Sequence, residues 1–211
     1  MNRSSPEHPP AQYLALGDSY TIGEGVAESE RWPVQLVRLL REAGLHIAEP
    51  QIIARTGWTT DELAEALDHA LLEPSYDLVS LLIGVNNQYR DRTASDYREQ
   101  FTSLLHRATS FAHDEPGRVL VLSIPDWGRT PFAADRDVAA ITAGIDAFNQ
   151  VNRTVTQEAG ALYVDITAAT RALGTGTGAV VADRLHPSGT VYEMWARHAL
   201  AAALSVLHRH R

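Results

Sequence analysis

Asp183 and His186 stand three residues apart in the segment Asp183-Arg184-Leu185-His186-Pro187-Ser188. If that segment makes one turn, the carboxylate reaches back to the imidazole and accepts a hydrogen bond from Nδ1–H. Such a bond fixes the tautomer, stabilises the imidazolium and frees Nε2 to take a serine proton. Pro187 restrains the backbone and suits the first turn of a following helix. Plainer roles fit the same residues: a capping aspartate and a surface histidine, one of nine in the chain. As metal ligands the pair would need a third partner, and the sequence offers no matching one.

A serine that such a pair could serve is Ser19, in Gly17-Asp18-Ser19-Tyr20-Thr21. Gly17 permits a tight turn, and the backbone N–H groups around Ser19 can face an anion. The segment does not match the Gly-x-Ser-x-Gly elbow of α/β-hydrolases, so a structural or phosphate-binding turn is the plainer reading of it alone. Gly57 and Gly84-Val85-Asn86-Asn87 follow two other apolar runs. A glycine lets its N–H approach a ligand and an Asn amide adds a donor; two donors beside a serine make an oxyanion hole. Glycines at strand ends also serve simply as turns. Asp165 competes with Asp183 for the acid role, or caps a loop or helix. Asp18 braces the serine turn or, with Trp58, Asn87 and Trp127, borders a substrate pocket. The two tryptophans fit pocket walls and loop anchors equally well.

These residues need a scaffold, and the hydrophobic pattern supplies one. Short runs rich in Leu, Ile and Val cover Tyr13–Leu16, Gln51–Ala54, Asp77–Ile83, Arg118–Ile124 and Ala161–Ile166, each the length of a buried strand. Between them, apolar residues recur at helical spacing: Trp32, Leu36, Leu39 and Leu40, stopped by Gly44; Leu63, Ala66, Leu67 and Ala70 behind a Thr59–Glu62 capping box; Tyr97, Phe101, Leu104 and Leu105; Ile141, Ile145, Phe148 and Val155. A last helix, capped by Ser188, would bury Val191, Trp195 and Ala199. Alternating strands and helices with short connections predict an α/β fold, a parallel sheet covered on both faces. In such sheets ligands bind beyond the carboxyl ends of the strands, where Ser19, Gly57 and Asn86 all fall.

The 211 residues fit one domain, expected over 13–207, with a loosely attached segment at 1–12 and a basic tail at 208–211. Gly174–Gly178 reads as a surface loop, since it lacks the Lys of a nucleotide-binding loop. The absence of cysteine excludes disulfides, thiolate metal sites and a cysteine nucleophile. A net charge of −8 argues against broad nucleic-acid contact. No apolar run reaches membrane-spanning length, and the first dozen residues hold no signal-peptide core, so a cytoplasmic location is expected.

Taken in order, the four segments resemble the GDSL or SGNH hydrolase superfamily, named for the Ser, Gly, Asn and His of its motifs. The matching blocks are Ala15–Tyr20, Gly57 within Arg55–Thr60, Ile83–Asn87 and Asp183–Pro187. Tyr20 stands where the namesake motif has Leu, and Asn87 where the family often has Asp. Ser123–Trp127 and Phe148-Asn149 are softer likenesses. The resemblance implies a flavodoxin-like three-layer α/β/α sandwich with a five-stranded parallel sheet. It also implies Ser19 as nucleophile, His186 as base and Asp183 as orienting acid. The oxyanion hole would combine the Ser19 and Gly57 N–H groups with the Asn86 amide. No cofactor is implied, and the partner is a small-molecule ester. Short length argues for an open site and small or exposed acyl groups, with sugar deacetylation, thioester or lysophospholipid cleavage as alternatives. A different class, a non-catalytic flavodoxin-like module holding phosphate or flavin at Gly17–Gly25, has no use for Asp183 and His186 together.

Overall fold

The protein's structure is a computed structural model that describes residues 9–173 and 178–209. Five strands, β1 (Tyr13–Gly17), β2 (Gln51–Ala54), β3 (Leu78–Leu82), β4 (Val119–Leu122) and β5 (Leu162–Val164), form one sheet in the order β2-β1-β3-β4-β5. All neighbouring pairs are parallel, which is the flavodoxin-like doubly wound order. Each of the five expected runs forms a strand: β1 extends one residue beyond its run, β2 coincides with it, and β3, β4 and β5 are shorter at both ends. The strands β1, β3 and β4 are buried along their whole length and so need cover on both faces. In register, Gly17 lies beside Ala54 on one side and Leu82 on the other. The chain therefore leaves three adjacent strands at the same level, just before Asp18, Arg55 and Ile83.

Among the described residues, eight α-helices supply the cover: α1 (Ser19–Ile22), α2 (Trp32–Glu42), α3 (Thr60–His69), α4 (Val85–Tyr89), α5 (Ala94–Phe111), α6 (Val138–Ala159), α7 (Thr167–Leu173) and α8 (Gly189–His208). The helices α2 and α8 pack on each other, while α5 packs against both α3 and α6. Periodicity predicts α2, α3, α5, α6 and α8. The short α1, α4 and α7 were not expected, because one or two turns cannot display a 3.6-residue repeat. The anticipated capping box is formed, with Thr59 N–H donating to Glu62 at 2.8 Å.

One expectation needs correction and two are sharpened. Of the segment expected to hang loosely, residues 9–12 are tied to the sheet: Ala11 bridges Ile47, and Gln12 N–H donates to Asp77 at 2.8 Å. Residues 1–8 lie outside the described residues, as do 174–177 of the expected Gly174–Gly178 loop and 210–211 of the tail. At the tail's start, His208 still belongs to α8 and Arg209 caps it. Ser188 sits at the N-cap of α8 without a capping side-chain bond, its Oγ buried and unpartnered.

Candidate active site

The turn after β1 is shaped by Gly17. A β-carbon there would lie 2.5 Å from the Leu82 carbonyl oxygen, so the close strand contact admits only glycine. Asp18 caps α1, its Oδ1 accepting the Tyr20 N–H at 3.0 Å, and Ser19 opens the helix. Ser19 is 4 % exposed, at the sheet edge where ligands meet such folds.

Asp18 itself is 1 % exposed, with Oδ2 buried and unpartnered, so it braces the turn and forms no pocket wall, correcting one expected role. Burial pushes its carboxyl up to about 7, outweighing the N–H bonds that favour the anion. A carboxyl whose folded pKa exceeds its unfolded value holds its proton longer in the native state. Its contribution is therefore favourable below the unfolded value near 3.8 and declines as pH rises toward 7. Asp18→Asn, which keeps the capping oxygen but cannot ionise, is expected to raise Tm more at pH 8 than at pH 5. Thermal melts at the two pH values check this; an equal shift at both would remove Asp18 ionisation as the cause.

The segment before α8 makes the anticipated turn, with Arg184 in the left-handed region at φ +68°. Asp183 Oδ1 accepts the N–H groups of Leu185 at 2.8 Å and His186 at 2.9 Å. Its Oδ2 lies 2.6 Å from His186 Nδ1. Partial burial pulls the Asp183 pKa upward, but the imidazole and two backbone donors prevail and hold it below the usual carboxylate value. With Nδ1 engaged, Nε2 is the ring nitrogen left for other work. The His186 ring packs edge-on against Tyr20, centroids 5.8 Å apart, which brings the Asp183–His186 pair against the Ser19 turn. Among the described residues, the side-chain hydrogen bond of the His186 ring is the one to Asp183, and none joins it to Ser19.

Gly57 and Asn86 meet across the neighbouring loops. Gly57 has φ +88°, and the Asn86 amide donates to the Trp58 carbonyl at 2.9 Å. One Asn86 N–H thus sets the side chain beside the Gly57–Trp58 loop. Gly84 starts this bend at φ +125°, and a β-carbon there would lie 2.6 Å from the Tyr97 hydroxyl. Asn87 differs from its expected pocket role. It is fully buried, accepting the Thr60 N–H at 3.1 Å and donating to Thr60 Oγ1 at 2.7 Å. It pins α4 to α3, the bracing that its neighbour Asn86 needs.

Trp58 is half-buried against the core, and its carbonyl is the Asn86 anchor. Trp127 lines a cleft together with Tyr20, Thr170, Leu185, Pro187 and Val191, so it is both wall and anchor. Its indole N–H donates to Gln88 at 2.8 Å. Asp165 takes the capping alternative: Oδ1 accepts the Thr167 and Ala168 N–H groups, and Oδ2 pairs with Arg153 at 3.0 Å. Sequence reasoning missed Asp126 and Gln88. Asp126 is buried beside the cleft and holds Thr142 and Arg171, both at 2.9 Å. Its only signal was its place in the Ser123–Trp127 likeness. Among the described residues, no group of three or more His, Asp or Glu could hold a metal ion.

The sheet order and the helices on both of its faces define a three-layer α/β/α fold. The chain belongs to the GDSL-like Lipase/Acylhydrolase family, whose model matches residues 15–194, and is an ester-cleaving enzyme. No curated protein sequence matches it. Solved structures share the fold. TesA is 20% identical with a TM-score of 0.72, covering 93% of this chain and 99% of its own. The lipase/acylhydrolase from Enterococcus faecalis is 23% identical at TM-score 0.70, covering 94% and 96%. The acetylxylan esterase Axe2 from Geobacillus stearothermophilus is 19% identical at TM-score 0.70, covering 92% and 94%. Among the described residues no helix is long and apolar enough to cross a membrane.

Proposed function

We propose that the enzyme is a serine esterase working through an acyl-enzyme on Ser19, with small or exposed acyl groups as substrates. The observation that carries this reading is the Asp183–His186 pair, bonded at 2.6 Å and packed through Tyr20 against the Ser19 turn. His186 Nε2 takes the Ser19 proton as Oγ attacks the ester carbonyl, and Asp183 holds the imidazolium that results. The carbonyl oxygen becomes an oxyanion and is met by the Ser19 and Gly57 N–H groups and an Asn86 amide N–H. His186 then protonates the departing alcohol, and water repeats the cycle on the acyl-enzyme.

A fluorophosphonate probe tests the nucleophile: mass-shifted Ser19 is expected, and labelling elsewhere would overturn the assignment. Bound flavin absorbance without labelling would favour the binding-module alternative. Asn86→Ala is expected to remain folded and to lose about a hundred- to a thousandfold in kcat, the usual cost of one oxyanion donor. Steady-state rates on p-nitrophenyl acetate check it, and a loss confined to KM would argue that Asn86 contacts only ground-state substrate. A panel of esters, acetylated sugars and acyl thioesters, varied in acyl length, decides among the substrate classes.

A further inference from the structure

The Arg136 guanidinium stands among three aromatic rings, one of which, Trp127, lines the cleft. Its centre is 4.8 Å from the Phe132 ring centroid and 5.4 Å from those of Tyr89 and Trp127. It also donates to the Tyr89 hydroxyl at 3.3 Å. The rings are set against one another, Tyr89 and Trp127 at 5.4 Å, and Trp127 is fixed by its bond to Gln88. An arginine held this way is oriented by ring faces while its charge stays uncompensated.

Its neighbours differ. Arg129 and Arg171 face Asp126, Arg90 faces Glu62, and Arg92 faces Asp61. Arg136 has no carboxylate partner among the described residues, although Asp135 and Asp137 flank it in the chain; Asp137 caps α6 instead. Arg184 likewise has no carboxylate partner there, and its guanidinium donates to the Pro131 carbonyl at 3.3 Å. The Phe132 N–H returns a bond to the Arg184 carbonyl at 3.1 Å, so both cations border the Pro131–Phe132 segment.

That place is close to the chemistry. Tyr89 follows Asn86 by three residues on α4, which puts the two side chains on one helix face. Trp127 shares the cleft with Leu185 and Pro187, the residues on either side of His186. Tyr89 is 46 % and Phe132 36 % exposed, so the cage is open to an incoming ligand.

We propose that Arg136, caged by Tyr89, Trp127 and Phe132, is a specificity residue that binds a carboxylate or similar anion carried by the ester substrate. This deepens the esterase reading and rests on it. The anion can belong to the acyl or the alcohol part, and two neutral isosteres separate these. Monoethyl glutarate is compared with ethyl 5-oxohexanoate, and O-acetylglycolate with acetoxyacetone, by titrating released acid. In at least one pair the anion is expected to be hydrolysed with the higher kcat/KM. Arg136→Gln should lower that anionic-to-neutral ratio roughly tenfold, with Arg136→Lys in between, because a point charge keeps attraction without the planar fork. Raising salt from about 0.02 to about 0.5 M should lower the wild-type ratio as well, since the site is exposed. Neutral esters cleaved with no anionic preference in either pair, or a ratio unmoved by Arg136→Gln, overturns the anion site and leaves the esterase reading standing. Failure to cleave any of the four esters removes both.

Discussion

Ser19→Ala is expected to yield a folded protein whose kcat on p-nitrophenyl acetate falls by about a millionfold, the scale on which removal of a serine nucleophile acts. The chain has no cysteine to stand in, and Tyr20 packs the His186 ring against the Ser19 turn. The substitution should cost little stability. Asp18 caps α1 through its own side chain, so the turn keeps its anchor when the hydroxyl is lost. A melting temperature close to wild type therefore accompanies the loss of rate. His186→Ala should fall to a similar floor, and combining the two changes should subtract little more, because serine and imidazole act as one unit. Single-turnover rates of the three variants decide this. A Ser19→Ala variant with wild-type turnover would end the assignment, and strictly additive losses would mean that the two residues act separately.

Much of the scaffold was legible because buried parallel strands and long amphipathic helices write strong patterns. The run Leu78–Leu82 is apolar at four of five positions and is buried throughout. Trp32, Leu36 and Leu40 mark α2 on the face that packs toward α8. The short motifs were legible for another reason: the first three each follow a strand where the fold puts ligands, and the fourth shows its Asp and His three residues apart ahead of α8. What could not be read was the direction of individual side chains. Asn86 and Asn87 are adjacent and chemically identical, yet one donates to the Trp58 loop and the other is buried against Thr60. A one-residue step along α4 turns the side chain by about a hundred degrees, and only packing decides which Asn faces the ligand. The burial of Asp18 and Asp126 escaped for a similar reason, although the bracing role of Asp18 was read correctly. A carboxylate in sequence looks solvated until the fold shows it enclosed, and both are. The Arg136 cage joins residues from positions 89, 127, 132 and 136, a grouping that only the loop geometry creates.

Asp183→Asn is expected to lower kcat by about ten-thousandfold while leaving the turn in place. The carboxylate receives three N–H groups: those of Leu185 and His186 at Oδ1, and the imidazole at Oδ2. An asparagine can keep its oxygen on the two backbone donors, so the loop retains its shape. Its amide nitrogen then faces His186 Nδ1, which must become the acceptor. The ring proton moves to Nε2, the nitrogen that has to receive the serine proton, and the base is lost through the wrong tautomer. Stability responds differently. The Asp183 pKa is lowered by folding, so its carboxylate contributes above the unfolded value and loses that contribution as pH falls through the lower folded one. At pH 7 the wild type has this contribution in full and the variant lacks it, which predicts a modest drop in Tm. Measuring kcat and Tm together at pH 7 separates the two effects, because a tautomer fault remains in fully folded enzyme. Asp165→Asn is the control: Asp165 caps α7 and pairs with Arg153, so its kcat should stay near wild type. A ten-thousandfold loss in Asp165→Asn with an active Asp183→Asn would transfer the orienting role to Asp165.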